Sequence, residues 1–384
     1  MRLHHLKLVN FRNYANLDIA TDKKVVILVG DNAQGKTNFL EAIYLLALTK
    51  SFRLRSDAGL IGGGENFARV EAEGRGHLGR DFKIEVVLKA AGRGERAQKL
   101  IKLDSRATSV REILGAFLAV LFCPEDINLI RAAPGARRRF LDIAACKVSH
   151  AYCGKLMEYN KILRHRNQVL MRVKKNIGKR EELIFWNNEL TEKGSFIIKF
   201  RQKMLQSLAV LTKDYYAQIV SGEENEPWPE LNLHYLPSFH IAADSGEEGL
   251  RLRFRGELLE KEGTEIFRGQ TLFGPHRDDF HFILGRKNII DQGSRGQFRL
   301  AVLALKMAEL EFLKTEIGER PVLLLDDVFS ELDGKRKALV ARLLRHQQTF
   351  ITTTDLSEIA PDLRKDALIL EVAGGEILKR KEES

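Results

Sequence analysis

Gly30-Asp31-Asn32-Ala33-Gln34-Gly35-Lys36-Thr37 and Val322-Leu323-Leu324-Leu325-Asp326-Asp327 stand about 290 residues apart, yet their chemistry belongs to one site. The first fits G-x-x-x-x-G-K-[ST], a loop whose glycines let the backbone wrap a phosphate. The second is an apolar run ending in two carboxylates, the side chains that hold Mg²⁺ and water beside such a loop. The separation excludes a minimal nucleotide-binding domain. It predicts an α/β head, a P-loop ATPase fold built from both chain ends, with a large insertion between them.

The flanks agree. Lys23-Lys24-Val25-Val26-Ile27-Leu28-Val29 reads as a buried strand feeding the loop, and Thr37 to Leu48 as a helix with apolar residues three and four apart. Backbone N–H groups and the helix N-terminus then face an anion. The expected ATP-binding segment is Gly30, Asp31, Asn32, Ala33, Gln34, Gly35, Lys36, Thr37 and Asn38. Lys36 should reach the β- and γ-phosphates, and Thr37 and Asp326 should hold Mg²⁺. Asp327 sits where a carboxylate orients or deprotonates water, so Lys36, Asp326 and Asp327 form the candidate catalytic set. An Asp is one methylene shorter than a Glu, which predicts slow turnover.

A third segment narrows the class. Asp291-Gln292-Gly293-Ser294-Arg295-Gly296-Gln297 opens a helical stretch running to about Thr315. It resembles the signature motif of ABC-type ATPases, where Ser-Gly-Gly-Gln is common. There the motif contacts ATP held by a second subunit, and Ser294, Gly296 and Gln297 are the matching residues. A local helix cap explains Ser294 alone equally well. Ser330-Glu331-Leu332-Asp333 follows the acidic strand as a D-loop does, with Ser330 and Asp333 its polar residues. Thr354 stands where most ABC enzymes carry a His, and Thr cannot serve as a cationic phosphate partner.

Charge is uneven. The chain holds 62 Lys and Arg against 52 Asp and Glu, and residues 147–213 hold 15 and 5 of these, leaving 47 of each sign elsewhere. One segment carries the whole excess, which points to a polyanion partner, most often nucleic acid, or else to a solvated helical face. Within it, Leu156, Tyr159, Leu163, Leu170 and Val173, then Leu183, Trp186, Leu190, Ile197, Met204 and Leu208, step by three and four, interrupted by Arg166, Gly194 and Arg201. Two helices with a turn near 176–179 predict an antiparallel hairpin arm about 45 Å long. Alternation at Leu231 to Tyr235 and at Leu250 to Phe254 predicts two strands after it.

No run approaches 18 apolar residues, and the N-terminus lacks the apolar stretch of a signal peptide, so a cytoplasmic protein with no membrane span is expected. Cys123, Cys146 and Cys153 are odd in number and irregularly spaced, which argues against a disulfide framework. Cys146, His150 and Cys153 share a helical face but lack a fourth metal ligand.

Six runs in one order, Asn10-Phe11-Arg12-Asn13-Tyr14, the P-loop, Phe122-Cys123-Pro124-Glu125-Asp126, Arg137-Arg138-Arg139-Phe140-Leu141-Asp142, Gly274-Pro275-His276-Arg277-Asp278-Asp279, and Leu324 to Asp333, resemble the bacterial RecF family. The resemblance implies an ABC-type ATPase head related to SMC and Rad50 heads, with ATP-dependent homodimerisation on double-stranded or gapped DNA. It also implies RecR, RecO and RecA as pathway partners. Arg12 is carried over as a nucleotide contact, because the matching segment of related heads approaches the nucleotide. Arg137, Arg138 and Arg139 are read either as DNA contacts or as structural ion pairs. Arg164, Arg166, Lys174 and Lys175 are the arm's candidate DNA contacts. His276, Arg277 and Asp278 suggest catalysis or, preferably, an ordered inter-lobe contact. The expected division is 1–120 and 270–384 for the ATPase head and 121–269 for the inserted helical lobe. The alternatives are an SMC-like chromosome ATPase and an ABC transporter subunit. The short arm disfavours the first and the basic arm the second.

Overall fold

A computed structural model describes residues 1–54, 56–91, 97–221, 228–241, 246–331, 333–344 and 346–382. The chain divides into two compact units, Met1–Asp126 with Glu309–Ser384, and Ile127–Ala308. The return to the first unit falls near residue 309 rather than 270. The reason is a sheet pairing: Asp279–Leu284 lies antiparallel to Leu231–Leu236, which keeps this stretch with the insertion.

In the first unit, a six-stranded sheet runs in the order Glu376–Glu382, Leu368–Ala373, Val25–Val29, Thr349–Thr353, Val322–Asp326, Ala119–Phe122. All its pairings are parallel except the C-terminal hairpin. Unbroken apolar runs such as Val25–Val29 and Val322–Leu325 suit parallel strands covered on both faces. A second six-stranded sheet, all antiparallel, starts from Arg2–Phe11 and Tyr14–Ala20. Helix Lys36–Leu48 packs against strands of both sheets. That explains a helix buried at every residue from Phe39 to Leu48, all of them apolar or aromatic except Glu41.

In the second unit, helices His150–Lys174 and Glu182–Val220 form the expected hairpin. Its turn is closed locally: Ile177 N–H donates to the Arg172 carbonyl (3.0 Å), and Arg172 pairs with Glu182 across the two helices (3.0 Å). The hairpin does not stand out alone as an arm but packs against other elements of its unit. Its long helix packs on strand Leu231–Leu236 and helix Glu247–Glu260, and its short one on helix Glu262–Arg268. Leu250 to Phe254 is helical, not a strand. Leu250, Phe254 and Leu258 are buried at steps of four, and the alternation of Leu with Arg merely imitates a period of two. The run Glu223 to Pro229, which reads as a loop from its two prolines and its charges, lies mostly outside the described residues. Among those residues no helix is long and apolar enough to cross a membrane.

Candidate nucleotide-binding site

Strand Val25–Val29 delivers the loop, and helix Lys36–Leu48 begins at Lys36. Gly35 has φ +119°, a conformation that L side chains rarely adopt, and a Cβ there would lie 2.8 Å from Asn13 Nδ2. The loop is tied from outside. Tyr14 Oη donates to the Gly35 carbonyl (3.1 Å), and Asn13 Nδ2 to that of Gln34 (3.0 Å). Asn38 Nδ2 donates to Asn13 Oδ1 (2.8 Å). The Gly374-Gly375 turn of the C-terminal hairpin gives its N–H groups to Gln34 Oε1 (2.7 Å) and to the Gln34 carbonyl (2.9 Å). Gln34 is thus both part of the loop and its latch.

Lys36 is buried, and its ammonium donates to the carbonyls of Gly30 (2.6 Å) and Asp31 (2.7 Å). Burial pushes its pKa down; Asp327, Asp326 and Asp31 oppose that by favouring the cation. Opposite stands the acidic strand. Thr349–Thr353 lies between it and the loop strand, with Asp326 in register with Thr352. The hydroxyls of Thr37 (2.9 Å) and Thr352 (2.8 Å) both donate to Asp326 Oδ1. Burial raises the Asp326 pKa, while these two hydroxyls hold it down. Thr352 Oγ1 also accepts from Asp327 N–H (3.0 Å). Asp327 has φ +51°, outside the usual range for a non-glycine residue, and its Oδ1 is buried without a hydrogen-bond partner. A fixed carboxylate, a threonine hydroxyl and an orphaned carboxylate oxygen beside a buried ammonium suit a hard divalent cation with a polyphosphate.

This geometry sits on a chain whose residues 2–364 match the RecF/RecN/SMC N terminal domain model. The DNA replication and repair protein RecF of Halalkalibacterium halodurans is 38% identical over 99% of the chain and 100% of the relative. The chain belongs to the RecF family. A structure described as the recombination mediator protein RecF-ATP in the RecFOR pathway superposes with TM-score 0.90 at 34% identity, covering 99% and 97% of the two chains. An SMC head bound to the C-winged helix domain of ScpA shares the fold alone, at TM-score 0.54 and 15% identity. The ABC-type α/β head with an inserted helical lobe is therefore the RecF-family architecture.

Other expected site residues have distinct settings. Arg12, at φ +56°, forms a two-point pair with Glu41 (2.8 and 3.0 Å) and donates to the Gly59 carbonyl (3.1 Å). Its guanidinium is thus engaged by a fully buried carboxylate of the loop helix. Ser294 and Gln297 form a reciprocal cap at the start of helix Arg295–Ile317: Gln297 N–H donates to Ser294 Oγ (3.2 Å), and Ser294 N–H to Gln297 Oε1 (2.8 Å). Ser294, Arg295 and Gly296 are exposed. Ser330 Oγ donates to the Asp327 carbonyl (2.8 Å), and Asp333 accepts from Arg336 N–H (2.9 Å). Thr354 is exposed just beyond its strand, so it is Thr352 that touches the acidic pair.

Two candidate DNA contacts are corrected. Arg166 is fully buried and bonds Glu265 (2.5 Å), Asn187 (2.7 Å) and Thr271 (2.7 Å). Arg137 is buried in a two-point pair with Asp279 (2.7 and 2.8 Å). Neither guanidinium is available to a phosphate. Arg138 is half-buried and donates to the Asp278 carbonyl (2.9 Å), while Arg139 is exposed. Arg164, Lys174 and Lys175 are exposed and have no carboxylate partner among the described residues. Lys174 lies over the ring of Phe267.

His276 and Asp278 form their hydrogen bonds within the second unit. His276 Nδ1 meets Tyr159 Oη (2.7 Å), and Asp278 accepts from Tyr235 Oη (2.5 Å) and Ser238 N–H (2.7 Å). Burial first, then the nearby Arg277, Arg138 and Arg166, lowers the His276 pKa to about 4. A folded pKa below the unfolded value means the unfolded chain takes the proton first. The stabilisation is complete above about pH 6.5 and is lost as pH falls toward 4. Up to about 3 kcal/mol disappears over this window. Urea unfolding between pH 7 and 4.5 should show this slope in the wild type and a flatter one in His276→Gln. Equal slopes would remove His276 as the cause.

Proposed function

We propose that this chain is an ATP-dependent DNA-binding protein of replication and repair. Two copies close around ATP on double-stranded or gapped DNA, and slow hydrolysis releases them. The observation that carries the reading is the Asp326 carboxylate, fixed by Thr37 of the P-loop and Thr352 while Lys36 faces it. Thr37 and Asp326 would hold Mg²⁺, which would supply charge neutralisation for the phosphates. Lys36 would bind the phosphates in place of the loop carbonyls that it now contacts. Asp327, with its unpartnered oxygen, would orient water. The exposed Ser294-Arg295-Gly296 turn would serve the partner subunit's nucleotide, consistent with a chain that needs a second copy. Arg164, Lys174 and Lys175 would meet DNA phosphates, contacts that position without reading sequence. Family membership supports a role with RecR and RecO in loading RecA.

Sizing by light scattering tests the clamp. ATP should double the particle mass; ADP and no nucleotide should not. A mass unchanged by ATP over a wide range of protein concentration would sink the reading. A second measurement addresses Asp327. Asp327→Asn keeps the shape of the side chain but cannot take a proton. Hydrolysis should fall about a hundredfold, the low end of what a general base supplies, with ATP affinity within about threefold. An unchanged rate would leave water activation to another group.

A further inference from the structure

We propose that the outward face of helix Glu262–Arg268, with the concavity beside it, takes up an unpaired nucleotide of bound DNA; this rests on the DNA-binding reading. Phe267 stacks on the base, and Lys174, Arg268 and Arg277 meet the phosphates around it. Residues three and four apart share a helix face. Glu262, Glu265 and Ile266 therefore stand on one side, and Thr264, Phe267 and Arg268 on the other. Burial agrees: Glu265 and Ile266 are buried, while Thr264, Phe267 and Arg268 are exposed. Phe267 is 78% exposed, more than any other large apolar side chain among the described residues. Lys174 Nζ lies over its ring, 5.7 Å from the centroid and within cation–π reach. The ring thus meets a cation yet stays largely open to solvent.

The backbone behind this face is fixed. Gly269 N–H donates to the Glu265 carbonyl (2.7 Å), Thr271 N–H to Asn167 Oδ1 (2.8 Å), and Leu272 N–H to Glu265 Oε1 (2.7 Å). Little backbone ordering is then left to be lost on binding. A concavity of about 430 Å³ opens beside it, lined by Arg268, Gln270, Leu272, Phe273 and Arg277, with no carboxylate. Arg277 Nη2 donates to Gln270 Oε1 (3.3 Å), and the stem of Lys174 runs past Gly269, where a Cβ would lie 3.6 Å from its Cδ. The three cations therefore belong to one surface. All three are exposed, and none has a carboxylate partner among the described residues. The acidic side chains nearest in sequence are engaged elsewhere, Glu265 by Arg166 and Glu260 by Arg253. Lys174 also belongs to the stretch 147–213, which carries the chain's whole positive excess. Such a surface selects a polyanion. A closed duplex keeps its bases stacked on one another and leaves Phe267 without a partner. An unpaired base offers a free π-face, and an aromatic ring beside a cationic groove is how single strands are held.

The test is a fluorescence anisotropy titration of the full-length chain with Mg-ATP, comparing a blunt duplex with the same duplex carrying a short single-stranded extension. The wild type should bind the extended duplex about tenfold more tightly, within the range that one base–aromatic stack contributes. Phe267→Ala should erase that gain and leave blunt-duplex affinity and the melting temperature as they are; Phe267→Trp should keep it. Arg268→Ala should weaken binding of the extended duplex and reduce its log–log salt slope by about 0.7, the share of one single-strand phosphate. Phe267→Ala should leave that slope alone. An iodouracil base placed in the extension should crosslink to Phe267 under near-ultraviolet light. Equal affinity for the two DNAs, a gain that survives Phe267→Ala, or crosslinks that fall elsewhere would each overturn the proposal. With the blunt duplex still bound, those results leave the DNA-binding reading standing. If neither DNA binds, that reading falls and the proposal falls with it. Self-association of the wild type that Phe267→Ala abolishes would assign the face to a second copy and overturn it too.

Discussion

Lys36→Met lowers ATP affinity by about 100- to 1,000-fold and leaves the fold intact, as expected when two or more charge-assisted hydrogen bonds are lost in a partly desolvated site. The Lys36 ammonium is held now by two loop carbonyls, at 2.6 and 2.7 Å. Burial disfavours its charge, and three nearby aspartates offset that in part. A polyphosphate would supply denser negative charge and better acceptors than those carbonyls. Methionine fills a similar volume and offers no donor. The loop keeps its shape because other groups tie it: Tyr14, Asn13 and the Gly374-Gly375 turn all bond to Gln34 or Gly35. Calorimetric titration with ATP should show the loss, while the melting temperature without nucleotide should stay within about 1 °C, the shift produced by about 1 kcal/mol in a chain this long. An affinity within threefold of wild type would mean that another group carries the phosphate.

The parts of this molecule that the sequence made legible are those where chemistry repeats a pattern. The P-loop, the acidic strand and the hairpin could be read because glycine spacing, an apolar run with terminal carboxylates and steps of three and four are local signals. Thr352 was missed because its role depends on register. Only the placement of Thr349–Thr353 between the loop strand and the acidic strand brings its hydroxyl to Asp326, and no local pattern announces that. Glu41 left a fainter trace, as a lone carboxylate in an otherwise apolar helix, and its partner Arg12 lay in a run already singled out. The boundary expected near 270 failed for a similar reason. Pairing of Asp279–Leu284 with Leu231–Leu236 is non-local, and it outweighs any composition shift along the chain. Leu250 to Phe254 shows the converse error, where five residues are too few to separate a period of two from one of 3.6.

Arg166 and Arg164 lie two positions apart on one helix, and their alanine variants should fail in opposite ways. Arg166→Ala leaves Glu265, whose side chain has no exposure, as a buried charge without its cation. It also strips a donor from Asn187 and from Thr271. Breaking such a pair from one side costs about 3–5 kcal/mol, because the survivor remains desolvated. Arg164→Ala removes an exposed side chain and should change stability by no more than about 0.5 kcal/mol. DNA binding should respond in reverse. Loss of Arg164 should weaken affinity and reduce the log–log salt slope by about 1, the signature of one lost phosphate contact. Urea unfolding followed by tryptophan fluorescence separates the two, since Trp186 stacks on His165 between these arginines (ring centroids 5.1 Å). A paired substitution isolates the cause. Replacing Arg166 with Met and Glu265 with Leu together removes both charges, so most of the lost stability should return. If Arg166→Ala instead unfolds at the wild-type urea concentration and binds DNA as weakly as Arg164→Ala, the buried pair is not what holds helix Glu262–Arg268 to the hairpin, and the positive charge at Arg166 faces DNA after all.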